Sequence, residues 1–145
     1  MKIKYQVFDN EDLLIQQYSG IFSIEKYQAY TRHIIEYITT KSIKKVLIDF
    51  REITFSDMTV QFTENLNKAL EVRKKINENE LKNKEITLVF WVNKPIPTVI
   101  ALLFSKSFKN YNYCSTEETI VEKLTLPDYF NDLENIVNNL ENTFY

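Results

Sequence analysis

Asp49, Ser56, Asp57 and Thr59 put two carboxylates and two hydroxyls into one short stretch, Lys44 to Thr59. Groups of this kind can hold a polar ligand, take up a proton or present an oxygen for modification. At a strand-to-helix junction they would stand beside free backbone N–H groups at a sheet edge, where α/β domains keep their sites. The same residue types also cap helices, and Asp57 or Ser56 as an N-cap would stabilise by about 1 kcal/mol. Val46-Leu47-Ile48-Asp49-Phe50 is apolar on both sides, the mark of a strand buried between layers. Phe55-Ser56-Asp57-Met58-Thr59 then reads as a polar crossover that opens a helix.

The remaining reactive side chains are sparse. His33 is the sole histidine, which excludes a His-based metal site and leaves any Ser–His relay resting on it alone. Cys114 is the sole cysteine, which excludes an internal disulfide and a multi-thiolate metal site. It ends a strand ahead of a helix, a position that could lower its pKa, but no His or second Cys is near in sequence. Asp49 with His33 is an acid–base pair that folding could bring together. Catalysis needs convergent groups, so the chain is expected not to be an enzyme, and no cofactor or metal is expected. The single glycine, Gly20, rules out Gly-rich phosphate loops. Tyr27, Tyr30 and Tyr37 lie on one helix, where they are core with wet hydroxyl ends or line a pocket against the sheet. Arg73, Lys74 and Lys75 form a basic run that reads as a solvated face.

Periodicity supplies the elements that position these groups. Residues 2–8 and 12–18 alternate as two strands joined by Asp9-Asn10-Glu11, and Gly20 ends the hairpin where the backbone must turn. Ser23 caps a helix in which Ile24, Tyr27, Tyr30, Ile34 and Ile38 share a face. Residues 44–50 are the third strand. A second helix starts near Asp57 and runs to about Asn79, with Phe62, Leu66, Leu70, Arg73 and Ile76 as its stripe. Glu85 to Val92 is the most apolar strand and therefore central. Pro97 opens a third helix, Thr98 to Phe108. Residues 111–114 are a short strand, and Ser115 to Glu118 is a capping box with Ser115 as N-cap. Phe130, Leu133, Ile136, Val137 and Leu140 keep helical spacing through the C-terminus. The order ββαβαβαβα plus a C-terminal helix implies an α/β fold with a mixed central sheet, parallel in its later strands.

The chain length of 145 residues suits one domain over 1–145, with a core of about 2–126 and a helical extension over 127–145. A net charge of −2 gives no global attraction to nucleic acid or anionic membrane. No apolar run approaches the roughly 18–20 residues a membrane helix needs. The N-terminus lacks a signal-peptide core, so the cytoplasm is the default compartment.

The hairpin ending in Gly20, the strand Val46-Leu47-Ile48-Asp49-Phe50 after a helix, Phe55-Ser56-Asp57 leading into a helix, and Cys114-Ser115-Thr116-Glu117-Glu118-Thr119 after a late strand together carry a resemblance. Over roughly residues 5–126 the chain resembles a STAS domain (sulfate transporter and anti-sigma-factor antagonist), nearest the SpoIIAA-like single-domain bacterial proteins. The resemblance implies a sheet covered mainly on one side by helices. Antagonists of this family carry Asp-Ser-Ser-Gly, with phosphorylation of the serine after Asp switching binding off. Here the matching run is Asp57-Met58-Thr59-Val60. Met58 stands at the acceptor position, and Thr59 is the substitute hydroxyl, rotated by about 100° on a helix. The resemblance implies a regulatory, protein-interaction domain that docks through Phe55, Ser56, Asp57, Met58 and Thr59 without the usual phospho-switch. The other reading is a carrier of a small molecule or lipid in a pocket between sheet and helices. The C-terminal amphipathic segment is expected to dock on its own domain or form a homodimer contact, since a helix of this length is marginal alone.

Overall fold

The computed structural model describes residues 1–55, 59–81, 84–95 and 111–145. Ser56, Asp57, Met58 and the expected third helix fall outside these residues. β1 (Lys2–Phe8) and β2 (Leu13–Ile21) form an antiparallel hairpin in register Lys2↔Ser19 to Phe8↔Leu13. Its connection is a single 3-10 turn, Asp9–Glu11, closed by Asp12 in the left-handed region (φ 52). The Asp12 carbonyl then accepts from the N–H groups of both Lys44 and Lys45, tying the hairpin to the start of β3 (Lys45–Thr54).

β3, β4 (Thr87–Trp91) and β5 (Tyr111–Cys114) add in parallel to β2. The sheet order is β5-β4-β3-β2-β1-β6. Parallel strands that follow one another in sequence order place their right-handed crossovers on one face. α1 (Ile24–Thr40) and α2 (Val60–Glu80) accordingly cover the same face. There Tyr18, Val46, Ile48, Phe50 and Phe90 of the sheet meet Ile34, Ile38, Leu66 and Leu70. The helix start at Ser23 is as the sequence implies, since its side chain accepts from Lys26 N at 3.2 Å.

The opposite face carries a second core, so this sheet is not covered mainly on one side. Leu13, Ile15, Leu47, Val89 and Trp91 pack against Ile120, Phe130, Leu133 and Val137, all at most 2% exposed. Two buried faces are the reason β3 and β4 are apolar in both phases. α3 (Glu117–Lys123) begins one residue later than the capping box predicts. Thr116, extended at φ −123 and ψ 148, is the cap and accepts from Thr119 N.

Residues 127–145 are not one helix. They form a 3-10 turn (Asp128–Phe130), a short α4 (Leu133–Asn138) and an edge strand β6 (Asn142–Phe144) antiparallel to β1. The apolar stripe faces inward as its spacing predicts, but Asn135, Asn138 and Asn139 are poor helix formers. Asn139 instead ends α4, its side-chain amide donating to the Asn135 carbonyl at 2.8 Å. The freed residues satisfy the outer edge of β1, and the segment docks on its own sheet.

Candidate functional site

The carboxyl end of the sheet is built around an irregularity in β3. Gln17 pairs with Asp49 but Ser19 pairs with Glu52, so β3 carries one extra residue against β2. Such bulges re-aim side chains and are rare in parallel pairs. Asp49 is fully buried. Its Oδ1 accepts from Arg51 N at 3.0 Å and Arg51 Nε at 2.9 Å. Its Oδ2 accepts from Arg51 Nη2 at 3.0 Å and from Gln17 Nε2 at 3.4 Å. A buried carboxylate is tolerable only when paired and hydrogen-bonded in this manner.

Arg51 then reaches outward. Its Nη1 donates to Glu134 Oε2 at 2.7 Å, and its guanidinium carbon sits 3.4 Å from the centre of the Trp91 ring. Partial burial pulls the Arg51 pKa down, but the hydrogen bonds and negative charges of Asp49 and Glu134 together outweigh it and the pKa is raised. Glu117 accepts from Glu134 N at 2.6 Å and so ties α3 to α4 at the same point. Asp49 is thus fully engaged in clamping β3 to the second layer. His33 lies on α1, over the opposite face, where its Nε2 shares a 2.8 Å hydrogen bond with the Tyr5 hydroxyl. Asp49 and His33 do not converge.

Of the five residues proposed for docking, Phe55 and Thr59 are described. Phe55 is half-buried, its ring 5.2 Å from that of Phe22, which also meets Phe62 at 6.2 Å. Thr59, rather than Asp57 or Ser56, is the N-cap of α2, and its Oγ1 accepts from Phe62 N at 3.1 Å. Two apolar residues at this end face solvent, Ile21 at 59% and Val60 at 77% exposed. The aromatic trio positions them, since it fixes the first turn of α2 against the end of β2.

Tyr27 and Tyr30 are buried and Tyr37 is half-buried. The Tyr30 ring lies within 6 Å of those of Tyr5, Tyr18 and Phe144. Its hydroxyl is buried and has no hydrogen-bond partner among the described residues. Burial raises the pKa of Tyr18, Tyr27 and Tyr30, with Arg73 beside them acting weakly in the other direction. Cys114 is buried, and burial pushes its thiol up rather than down. An open depression of about 530 Å³ lies at the carboxyl ends of β4 and β5, lined by Val92 to Pro95 and Tyr113 to Ser115. Among the described residues no group of three His, Cys, Asp or Glu could hold a metal ion, and no helix is long and apolar enough to cross a membrane.

No family model matches the chain, and no curated protein matches it.

Sequence reasoning missed Arg51, Glu134, Ile21 and Val60. The bulge did leave a signal. Apolar residues alternate at Val46, Ile48 and Phe50, then resume at Ile53 instead of position 52, a phase slip of one residue. Arg51 placed two positions after a buried Asp was the matching charge signal. Glu134 comes from a distant segment and left none.

Proposed function

We propose that the chain is a non-catalytic regulatory domain of STAS, SpoIIAA-like type that docks a protein partner through the carboxyl end of β2 and β3 and the first turn of α2. The carrying observation is the exposure of Ile21 and Val60 around the Phe22, Phe55 and Phe62 cluster. Solvated apolar residues beside a rigid aromatic support have the make-up of a small interface core. Phe55 and Thr59 belong to this surface, and Ser56, Asp57 and Met58 are assigned to it from their place in the sequence. Thr59 is also the candidate acceptor that the resemblance implies, and docking needs no phosphate. The parallel strands run in sequence order with no reversal among them. They therefore lack the switch-point crevice in which doubly wound sheets hold small ligands, which favours a surface function. The cytoplasm is the proposed compartment.

The test compares capture by tagged wild type with capture by Val60→Glu and by Val72→Glu. Val72 is also exposed on α2, at 52%, but lies away from the proposed surface. Loss of a stoichiometric partner in Val60→Glu alone supports the reading, and equal capture by all three proteins contradicts it.

A carrier of a small molecule or lipid is the second reading, favoured by the buried Tyr30 hydroxyl, which has no hydrogen-bond partner among the described residues. Native mass spectrometry of protein purified from its own host tests it, and a bare chain mass counts against it.

A further inference from the structure

The C-terminal segment clasps the edge of the sheet. Leu140 packs into the second core and Phe144 into the first, so residues 140–144 pass from one face to the other around β1. β6 pairs there in register Ile3↔Phe144, Lys4↔Thr143 and Tyr5↔Asn142. The Phe144 ring sits 5.3 Å from the rings of both Tyr30 and His33, edge-on to the first and tilted by 32° to the second.

The seat of that ring is built without β6. β1 is held to β2 along its whole length, Lys2↔Ser19 to Phe8↔Leu13, and its Ile3 and Tyr5 belong to the first core. Tyr30 is buried against Tyr5 and Tyr18, and the Tyr5 hydroxyl holds His33 at 2.8 Å. β6 itself is lightly held. Asn142 is exposed, and Thr143 and Phe144 are half-buried. The side-chain ties beside it, Glu141 N to Gln6 Oε1 and Lys4 Nζ to the Asn138 carbonyl, are exposed and 3.3 Å long. A segment with few buried contacts opens without unfolding the rest. Opening leaves a firm strand edge with unpaired N–H and C=O groups, beside an aromatic seat that is already formed.

We infer that the outer edge of β1 and the Tyr30–His33 seat form a strand-binding site for an extended peptide segment with an aromatic residue in the place of Phe144, and that β6 occupies this site in cis. Such a segment adds to the sheet through main-chain hydrogen bonds, and the seat selects its aromatic side chain. β6 shows what the site accepts, since its own backbone and phenyl ring are bound there. A cis occupant reduces the apparent affinity for a segment in trans to the fraction of time that the site stands open. The inference goes beyond the docking function proposed above and does not rest on it.

The probe is the synthetic peptide Glu-Asn-Thr-Phe-Tyr, the sequence of residues 141–145, with the photocrosslinker p-benzoylphenylalanine in place of its phenylalanine. It is irradiated with full-length wild type, with Phe144→Ala, and with Lys4→Cys/Thr143→Cys. The last joins an opposed antiparallel pair, close enough for a disulfide that locks β6 shut. Mass spectrometry reads the yield and the labelled residues. Labelling around Tyr5, Tyr30 and His33 supports the inference when it is about tenfold stronger in Phe144→Ala than in wild type and almost absent from the oxidised lock until that is reduced. Equal yield in all three, labelling elsewhere, or no labelling even of Phe144→Ala overturns it. A wild-type dimer that the oxidised lock abolishes makes a second copy the occupant and also overturns it. Phe144→Leu, which keeps an apolar side chain on β6, should give an intermediate yield, and thermal melting of each variant checks that it folds.

Discussion

Asp49 and Arg51 stand two positions apart on β3 and meet side chain to side chain, Nε to Oδ1 at 2.9 Å and Nη2 to Oδ2 at 3.0 Å. On a regular strand such positions root about 6–7 Å apart and point the same way without touching. Beside the bulge the two side chains bridge that gap, and the Asp49 carboxylate also accepts the Arg51 N–H. Trp91 covers the guanidinium, and Glu134 extends the pair to α4.

Removing the guanidinium would strand a fully buried carboxylate. Arg51→Ala should cost about 3–5 kcal/mol, whereas Glu134→Ala, which breaks an exposed contact, should cost less than about 1 kcal/mol. Urea midpoints at unchanged slope measure both. Equal small losses would show that the clamp contributes little to β3.

The C-terminal segment supplies Phe130, Leu133, Val137 and Leu140 to the second core. A chain ending at residue 126 would expose Leu13, Ile15, Leu47 and Val89. It should lose cooperative unfolding and bind a hydrophobic dye, while the single change Leu133→Ala should cost about 2–5 kcal/mol. A truncated chain that melts as sharply as the whole one would mean that the sheet needs only one covered face.

Tyr18, Tyr27 and Tyr30 are buried, and burial raises the pKa of each. Raised values in the folded state mean that the unfolded chain releases these protons first. Their stabilisation is therefore complete below the ordinary tyrosine pKa of about 10 and is lost as pH climbs toward the folded values. Urea midpoints should be level near neutrality and fall above about pH 10. Tyr30→Phe removes a hydroxyl with no partner among the described residues and should leave stability unchanged or slightly raised. A loss of about 1 kcal/mol or more would reveal a partner for that hydroxyl in solution.

The layers could be read from the sequence because burial leaves periodicity behind. Val46 to Phe50 announced a strand buried on both sides, and the Ile24 to Ile38 spacing announced α1. Phe130 to Leu140 showed the correct inward face but not the break after Asn138, because spacing reports which residues are buried and not how many pieces carry them. The caps at Thr59 and Thr116 differ by one to three residues from the sequence reading, since neighbouring Ser, Thr and Asp can all accept a first-turn N–H. At the candidate site, Phe55 and Thr59 were expected from the resemblance. Ile21 joins them only through the β2–β3 register, and Glu134 reaches Arg51 across 83 positions of chain. Pairings of that range leave no local trace.

Amide hydrogen exchange of the captured complex tests the central claim most directly. Docking at the β2–β3 tip and the start of α2 predicts slowed exchange over residues 19–25 and 52–64, with the carboxyl half of α2 and the surface around Tyr129 unchanged. Slowing confined to those other surfaces, with the tip exchanging as in the free chain, would contradict it.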